Sequence, residues 1–342
     1  MATRVTIKDV SREAGVSVAT VSNAINTPDI LAPDTLQRVT ETIEKLGYTP
    51  NRAAVALQRQ KTSAIGYRMP SGTDGFALDR FLHRLVECAG EADFDIVLFT
   101  PRAGQTEIAA YEEMVRRGAV DGFVLSGTDH HDERIEYLNS IDTPFAAFGR
   151  TDATADHNWV DIDGEAGVRA AVDHLVELGH EKIALIRWPE GSLTGDERAA
   201  GYFAGLAAAG LDIAADYIIE TENGIDQGAD ATERFLALED PPTAIVCVQD
   251  WLALGVIRTL VARGLEVGSD VSVVGFDDIP SASLLPNGLT SVHQPMHLIG
   301  EALLSNRLET FAHTPDPKPR GEMVAPHLVV RGSSGPPREL TT

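Results

Sequence analysis

From Ala64 onward, apolar runs of strand length alternate with amphipathic stretches, and that alternation leaves few folds open. The runs are AIGYRM (64–69), DIVLFT (95–100), GFVLS (122–126), PFAAFG (144–149), KIALIR (182–187), TAIVCV (243–248) and SVVGF (272–276). Between the first two, Leu78–Ala92 puts Leu78, Phe81, Leu82, Leu85, Val86 and Ala89 on one helical face. Strands that alternate with helices pair in parallel and are covered on both faces, so two doubly wound parallel sheets are expected. A ligand in such folds lies beyond the C-terminal ends of the strands. At 342 residues the chain is long enough for two or three compact units.

The first fifty residues read differently. Thr6–Asn26, TIKDVSREAGVSVATVSNAIN, has the pattern of two short helices and a tight turn. Thr6 can cap the first helix with Asp9 three residues on. Ile7, Val10 and Ala14 share a face, Gly15 supplies the turn and Val16 plugs the angle. Ser17 caps the second helix, where Val18, Val21, Ala24 and Ile25 alternate with Ala19, Thr20, Ser22 and Asn23. One buried face and one face of small or hydrogen-bonding side chains is what entry into a DNA major groove demands. Pro33 and Asp34 open a third helix that Gly47 ends, and Asn51–Gln58 is a further helical pattern too short to stand alone in water.

TIKDVSREAGVSVATVSNAIN, followed by LGYTPNRAAVAL at Leu46–Leu57, resembles the headpiece of the lactose-repressor (LacI/GalR) family of bacterial transcription regulators, and the resemblance runs to about Arg331. It implies an all-α helix-turn-helix headpiece over 1–50, a hinge helix and linker over 51–61, and a two-lobed, periplasmic-binding-protein-like core over 62–331. The lobes are expected at about 62–162 with 293–322 and 163–292 with 323–331, the chain crossing near Asp163, Val292 and Met323. The residues it implies for DNA are Thr6, Ser17, Val18, Ala19, Thr20, Ser22, Asn23, Asn26, Thr35, Tyr48, Asn51, Ala54 and Leu57, the last as a wedge into the minor groove. The sequence departs from the family at Ala32, where a capping Ser is usual. That loss costs on the order of 1 kcal/mol.

For an effector the resemblance points to Arg198 in DERAAGYFAGL, Asp277 in VGFDDIP, and Gln249 and Asp250 in VQDWLALG, where Gln replaces the family's usual Asn. Arg68, Phe76, Arg150, Trp188 and Trp251 complete the candidates. Guanidinium, carboxylate and carboxamide groups suit a polyol, and a tryptophan suits a pyranose face, so a sugar or oligosaccharide is expected. A purine or other non-sugar corepressor is the alternative within the same regulator class. A plain ligand-binding protein without a DNA role is the alternative outside it.

Net charge, −23 overall, first argues against a nucleic-acid partner. Divided along the chain it does not: residues 1–61 carry 8 Lys+Arg against 6 Asp+Glu, and the other 281 carry 20 against 45. A mildly basic head on an acidic body can bind DNA with salt-sensitive association. There is no run of 18 apolar residues and no signal segment, so a cytoplasmic protein without a membrane span is expected. Cys88 and Cys247 read as buried free thiols. No nucleophile, phosphate-loop or zinc motif is present, so no enzyme, metal or cofactor is expected. His130–Glu133 reads as a solvated helix start and His180 as a partner for backbone carbonyls. Gly332–Thr342 reads as a disordered tail without the leucine heptad of a tetramerising coil, and the resemblance implies a homodimer on palindromic operator DNA.

Overall fold

The computed structural model describes residues 5–49, 61–70, 75–151, 157–305 and 320–338, the side chains of 75–79 and 304–305 excepted. Asn51, Ala54 and Leu57 therefore lie outside the described residues, as does the side chain of Phe76. The chain divides into two units, Met1–Ser63 and Ala64–Thr342.

In the first unit the local signals act as expected. Helices α1 (Ile7–Ala14), α2 (Val18–Asn26) and α3 (Pro33–Leu46) enclose a small core of Val10, Ala14, Val21 and Val39. The Asp9 carboxylate accepts the Thr6 N–H at 3.0 Å and its hydroxyl at 2.7 Å, and these bonds hold the carboxyl below its usual pKa. Ser17 accepts the Thr20 N–H at 3.0 Å. Gly15 and Gly47 take the left-handed conformation, φ +66° and +61°, that closes α1 and α3. Ala32 begins α3 without a side-chain cap, and Lys45 ties α3 to Glu13 of α1 at 2.7 Å.

The second unit holds two six-stranded sheets. The strands are β1 (Ala64–Arg68), β2 (Asp95–Phe99), β3 (Gly122–Ser126), β4 (Phe145–Phe148), β5 (Asn158–Ile162), β6 (Ile183–Arg187), β7 (Ile218–Glu220), β8 (Ala244–Cys247), β9 (Ser272–Asp277), β10 (Thr290–His293), β11 (Gly321–Val324) and β12 (His327–Val329). The first sheet runs β11-β5-β4-β3-β1-β2, parallel throughout. The second runs β12-β10-β9-β8-β6-β7 and is parallel except for β12. Their helices are α4 (Gly75–Glu91), α5 (Glu107–Arg116), α6 (Glu133–Ser140), α7 (Gly164–Glu177), α8 (Leu193–Ala209), α9 (Ile225–Leu236), α10 (Asp250–Ala262) and α11 (Met296–Ser305). The chain passes between lobes after Ile162, between His293 and Met296, and between Val324 and His327. The last passage follows Met323 rather than falling on it, because Met323 pairs with Asp161 of β5. Cys88 and Cys247 are free and buried. Asp132 is not a solvated residue: it caps α6 and is 9% exposed, its carboxylate taken by Arg134.

The expected disordered tail requires correction over residues 332–338. Ser333, 1% exposed, accepts the Thr290 N–H at 2.8 Å through its hydroxyl, while its carbonyl accepts the Val273 N–H at 2.7 Å. The Gly335 carbonyl accepts from His180 Nε2 at 2.9 Å and from the Ser272 hydroxyl at 3.0 Å. A Gly/Ser/Pro composition reports only the lack of apolar burial, whereas this segment is held by backbone and hydroxyl bonds to β9 and its neighbours. Residues 339–342 lie outside the described residues.

His180 sits in that seam with Nδ1 2.8 Å from the Thr243 hydroxyl, and nearby His174 bonds the Ser334 hydroxyl at 2.9 Å. Burial lowers the pKa of both rings. A folded-state pKa below the unfolded value means that protons favour the unfolded chain. Their contribution is therefore complete above about pH 6.5 and is lost as pH falls through the lowered values. The melting temperature of the core transition is expected to fall between pH 6.5 and 5, and His180→Gln to flatten that slope. An unchanged slope in the variant would assign the acid sensitivity elsewhere.

Candidate functional site

In the headpiece, the cap Ser17 and Ala19 of α2 are exposed to solvent, with Thr20, Ser22, Asn23 and Asn26 half-exposed. Val18 is 39% exposed and belongs to this outer face rather than to the buried one, where Val21 alone is buried. The Ser17 and Thr20 hydroxyls lie 2.8 Å apart, and Asn26 Nδ2 donates to the Ser22 carbonyl at 3.0 Å. These bonds fix the rotamers of a small polar surface. Thr6 is exposed at the start of α1, and Thr35 is half-exposed in the first turn of α3. Tyr48 packs partly against the headpiece core.

In the core, a cavity of about 270 Å³ opens between the lobes where strands end. Of the effector candidates, Trp188, Arg198, Gln249 and Asp277 line it together. Arg198, 6% exposed, lies 3.7 Å over the Phe276 ring and 5.3 Å from that of Trp188. It donates to the Val248 carbonyl at 2.6 Å and stands 3.7 Å from Asp277. Burial pulls its pKa down, against the pull of Asp277. Asp277 closes β9 with φ +110°, a conformation a side chain rarely adopts, and Asp278 follows at +48°. Such strain is held by its surroundings: Asp277 accepts from Gln294, and Asp278 binds His293 at 2.9 Å and Arg331 at 2.7 Å.

Three candidates stand elsewhere. Asp250 is 0% exposed and does not reach the cavity, because its carboxylate accepts the Ser291 hydroxyl at 2.7 Å and the Ile279 N–H at 2.9 Å. Burial and the nearby Asp277 push its pKa well up. Arg68 pairs with Glu107 at 2.9 Å, which draws it to the start of α5. Trp251 packs on the core from α10. Arg150 stands at the margin: it binds Asp161 at 3.0 Å and Glu197, and both of these line the cavity.

The structure adds residues that the sequence did not single out, among them Thr128, Asp129, Asp161, Glu197 and Gln294. Thr128 and Asp129 follow β3 after Gly127, so the strand-end rule applied to GFVLS had the means to find them. The Thr128 hydroxyl occupies the place a Cβ on Gly149 would need, 2.2 Å away. Asp129 Oδ1 accepts the Leu193 N–H at 2.8 Å across the lobes. Thr128 Oγ1, Trp188 Nε1, Arg198 Nε and Gln249 Oε1 are all buried without a hydrogen-bond partner. Each such atom costs about 1–3 kcal/mol. A ligand with several hydroxyls both donates and accepts, so it can satisfy this mixture. Among the described residues no group of three or more His, Cys, Asp or Glu is placed to hold a metal ion, and no helix is long and apolar enough to cross a membrane.

Known proteins resemble both units. Residues 6–51 match the family model for bacterial regulatory proteins of the lacI family, and residues 172–334 match that for a periplasmic binding protein-like domain. The HTH-type transcriptional regulator AglR of Rhizobium meliloti (strain 1021) is 33% identical over 97% of this chain and 95% of its own. The HTH-type transcriptional repressor PurR of Mannheimia succiniciproducens is 30% identical over 96% of this chain and 98% of its own. Among solved structures, the lac repressor dimer bound to operator and the anti-inducer ONPF aligns with a TM-score of 0.81 at 26% identity, covering 97% of this chain and 99% of that one. The transcriptional regulator CelR–cellobiose complex aligns with a TM-score of 0.72 at 29% identity, covering 96% and 100%.

Proposed function

This chain belongs to the lacI family of bacterial regulatory proteins, and from that premise we propose that it represses transcription as an operator-bound homodimer controlled by a sugar. That the chain is a DNA-binding transcriptional regulator, and not an enzyme, follows from the family. Repression, the dimer, the palindromic operator and the sugar are the further steps. Each protomer would place α2 in one major-groove half-site, with Val18, Ala19 and Asn23 reading base edges. Asn51, Ala54 and Leu57 would contact DNA, the leucine wedging into the minor groove. As a DNA-binding regulator of bacterial type, it would act in the cytoplasm.

The observation that carries the effector is the set of four buried, unpartnered polar atoms around one cavity. The CelR complex supports a saccharide in this fold, and Trp188 offers the cavity a flat aromatic face. Ligand would shift the balance between lobe arrangements, and residues 51–61 would transmit that shift as a coupling free energy. A base could stack on Trp188 as a pyranose does, so a purine or other non-sugar corepressor is the second reading.

Selection of binding sites from random duplexes with the full chain, followed by release of the selected operator under a sugar and nucleotide panel, tests both parts. A sequence-independent selection would remove the operator reading; release by nucleotides alone would remove the sugar. The same selection checks a residue. Asn pairs best with adenine and Arg with guanine, so Asn23→Arg is expected to change base preference within each half-site and leave non-specific affinity nearly unchanged. An identical selected site would take Asn23 out of recognition.

A further inference from the structure

The two lobes are joined beside the cavity by one chain of charges. Arg150, just past β4 in the first lobe, bonds Asp161 of β5 at 3.0 Å through Nε, and through Nη2 it bonds Glu197 on α8 of the second lobe. Arg150 also lies 5.6 Å from the Trp159 ring. Burial raises the pKa of Glu197, against the pull of Arg150. Among the described residues, four carboxylates line the cavity, Asp129, Asp161, Glu197 and Asp277, against the single guanidinium of Arg198. Arg198 is itself engaged, with Nη1 on the Val248 carbonyl and Nη2 towards Asp277. An anion entering this cavity therefore meets carboxylate charge, finds Arg150 held by protein acceptors at Nε and Nη2, and finds Arg198 with only Nε unpartnered.

We propose that Glu197 is the residue that sets the charge specificity of the effector site: by holding Arg150 across the lobes it closes the cavity to phosphorylated and carboxylated ligands and leaves it to neutral ones. This rests on the interlobe cavity being the effector site. Without the Glu197 charge, Arg150 would keep Asp161 on Nε and turn Nη2, a donor suited to phosphate or carboxylate oxygens, to the cavity edge. One residue thus separates a site for neutral polyols from one for their anionic derivatives.

The test uses the full chain as wild type, Glu197→Gln, and the double variant Arg150→Gln/Glu197→Gln, with inorganic phosphate and glucose 6-phosphate as probes. Binding is read by calorimetry and by the melting temperature at fixed ionic strength. Glu197→Gln is expected to bind glucose 6-phosphate about tenfold or more tightly than wild type. The double variant is expected to lose that gain, and Trp159 emission to shift when the tie is cut. Equal anion affinity in wild type and Glu197→Gln, or a gain that survives loss of Arg150, would overturn the proposal. The comparison needs no neutral effector, so a sugar panel that fails to release operator counts against the proposed function and leaves this result standing on its own.

Discussion

Arg198→Ala is expected to abolish the response to effector while the protein still binds its operator. The guanidinium lies over the Phe276 ring and near that of Trp188, and it joins the Val248 carbonyl to the Asp277 corner of the cavity. A hydrogen bond from a charged group contributes about 1.5–3 kcal/mol, so losing one such bond weakens ligand about 10- to 150-fold. The truncation also strands the Val248 carbonyl, which adds a modest loss in core stability. Arg198→Lys keeps the charge and loses the planar fork, and it should fall between the two. The measurement is the effector concentration that half-releases labelled operator. An alanine variant that responds at the wild-type concentration would remove Arg198 from the site.

Gly201→Ala is expected to give a large loss of core stability for a conservative change. Gly201 lies on α8 where that helix meets α7, and a Cβ there would stand 2.2 Å from the Glu165 carbonyl oxygen and 3.0 Å from the Arg169 nitrogen. Both atoms are backbone, so nothing small can move aside and the helices must separate. Overpacking of this kind costs about 3 kcal/mol at the upper end of its usual range, which lowers the melting temperature by about 6–12 °C. Glu197 and Arg198 ride on the same helix, so effector response should weaken with it. Gly90→Ala is the control, because an added Cβ on α4 meets nothing within 4 Å and alanine favours helix. Equal melting of the two variants would contradict the close approach of α7 and α8.

Much of the fold was legible because it rests on local chemistry. The seven apolar runs became β1, β2, β3, β4, β6, β8 and β9, and Thr6, Gly15, Ser17, Pro33 and Gly47 punctuate the headpiece helices as their side chains or backbone freedom require. Five strands were not singled out. β5 (NWVDI) and β10 (TSVH) carry polar residues because they lead into the passages between lobes, and β7 is a three-residue edge. β11 and β12 are four and three residues long and pair with partners far away in sequence, β5 and β10.

The sequence by itself determined what is periodic or local, the helical head and the alternating body, while the resemblance to the family pointed to Arg198, Gln249 and Asp277, which line the cavity with Trp188 at the end of β6. Only the tertiary structure decided which polar residues share an environment. Asp250 and Asp277 look alike in sequence, yet one is consumed by Ser291 and Ile279 while the other borders the cavity. Asp161, Arg150 and Glu197 come from two lobes, and no spacing along the chain brings their charges together. A hydrogen bond or ion pair depends on distances of a few ångströms between side chains, and those distances are set by how the lobes pack, not by periodicity along the chain.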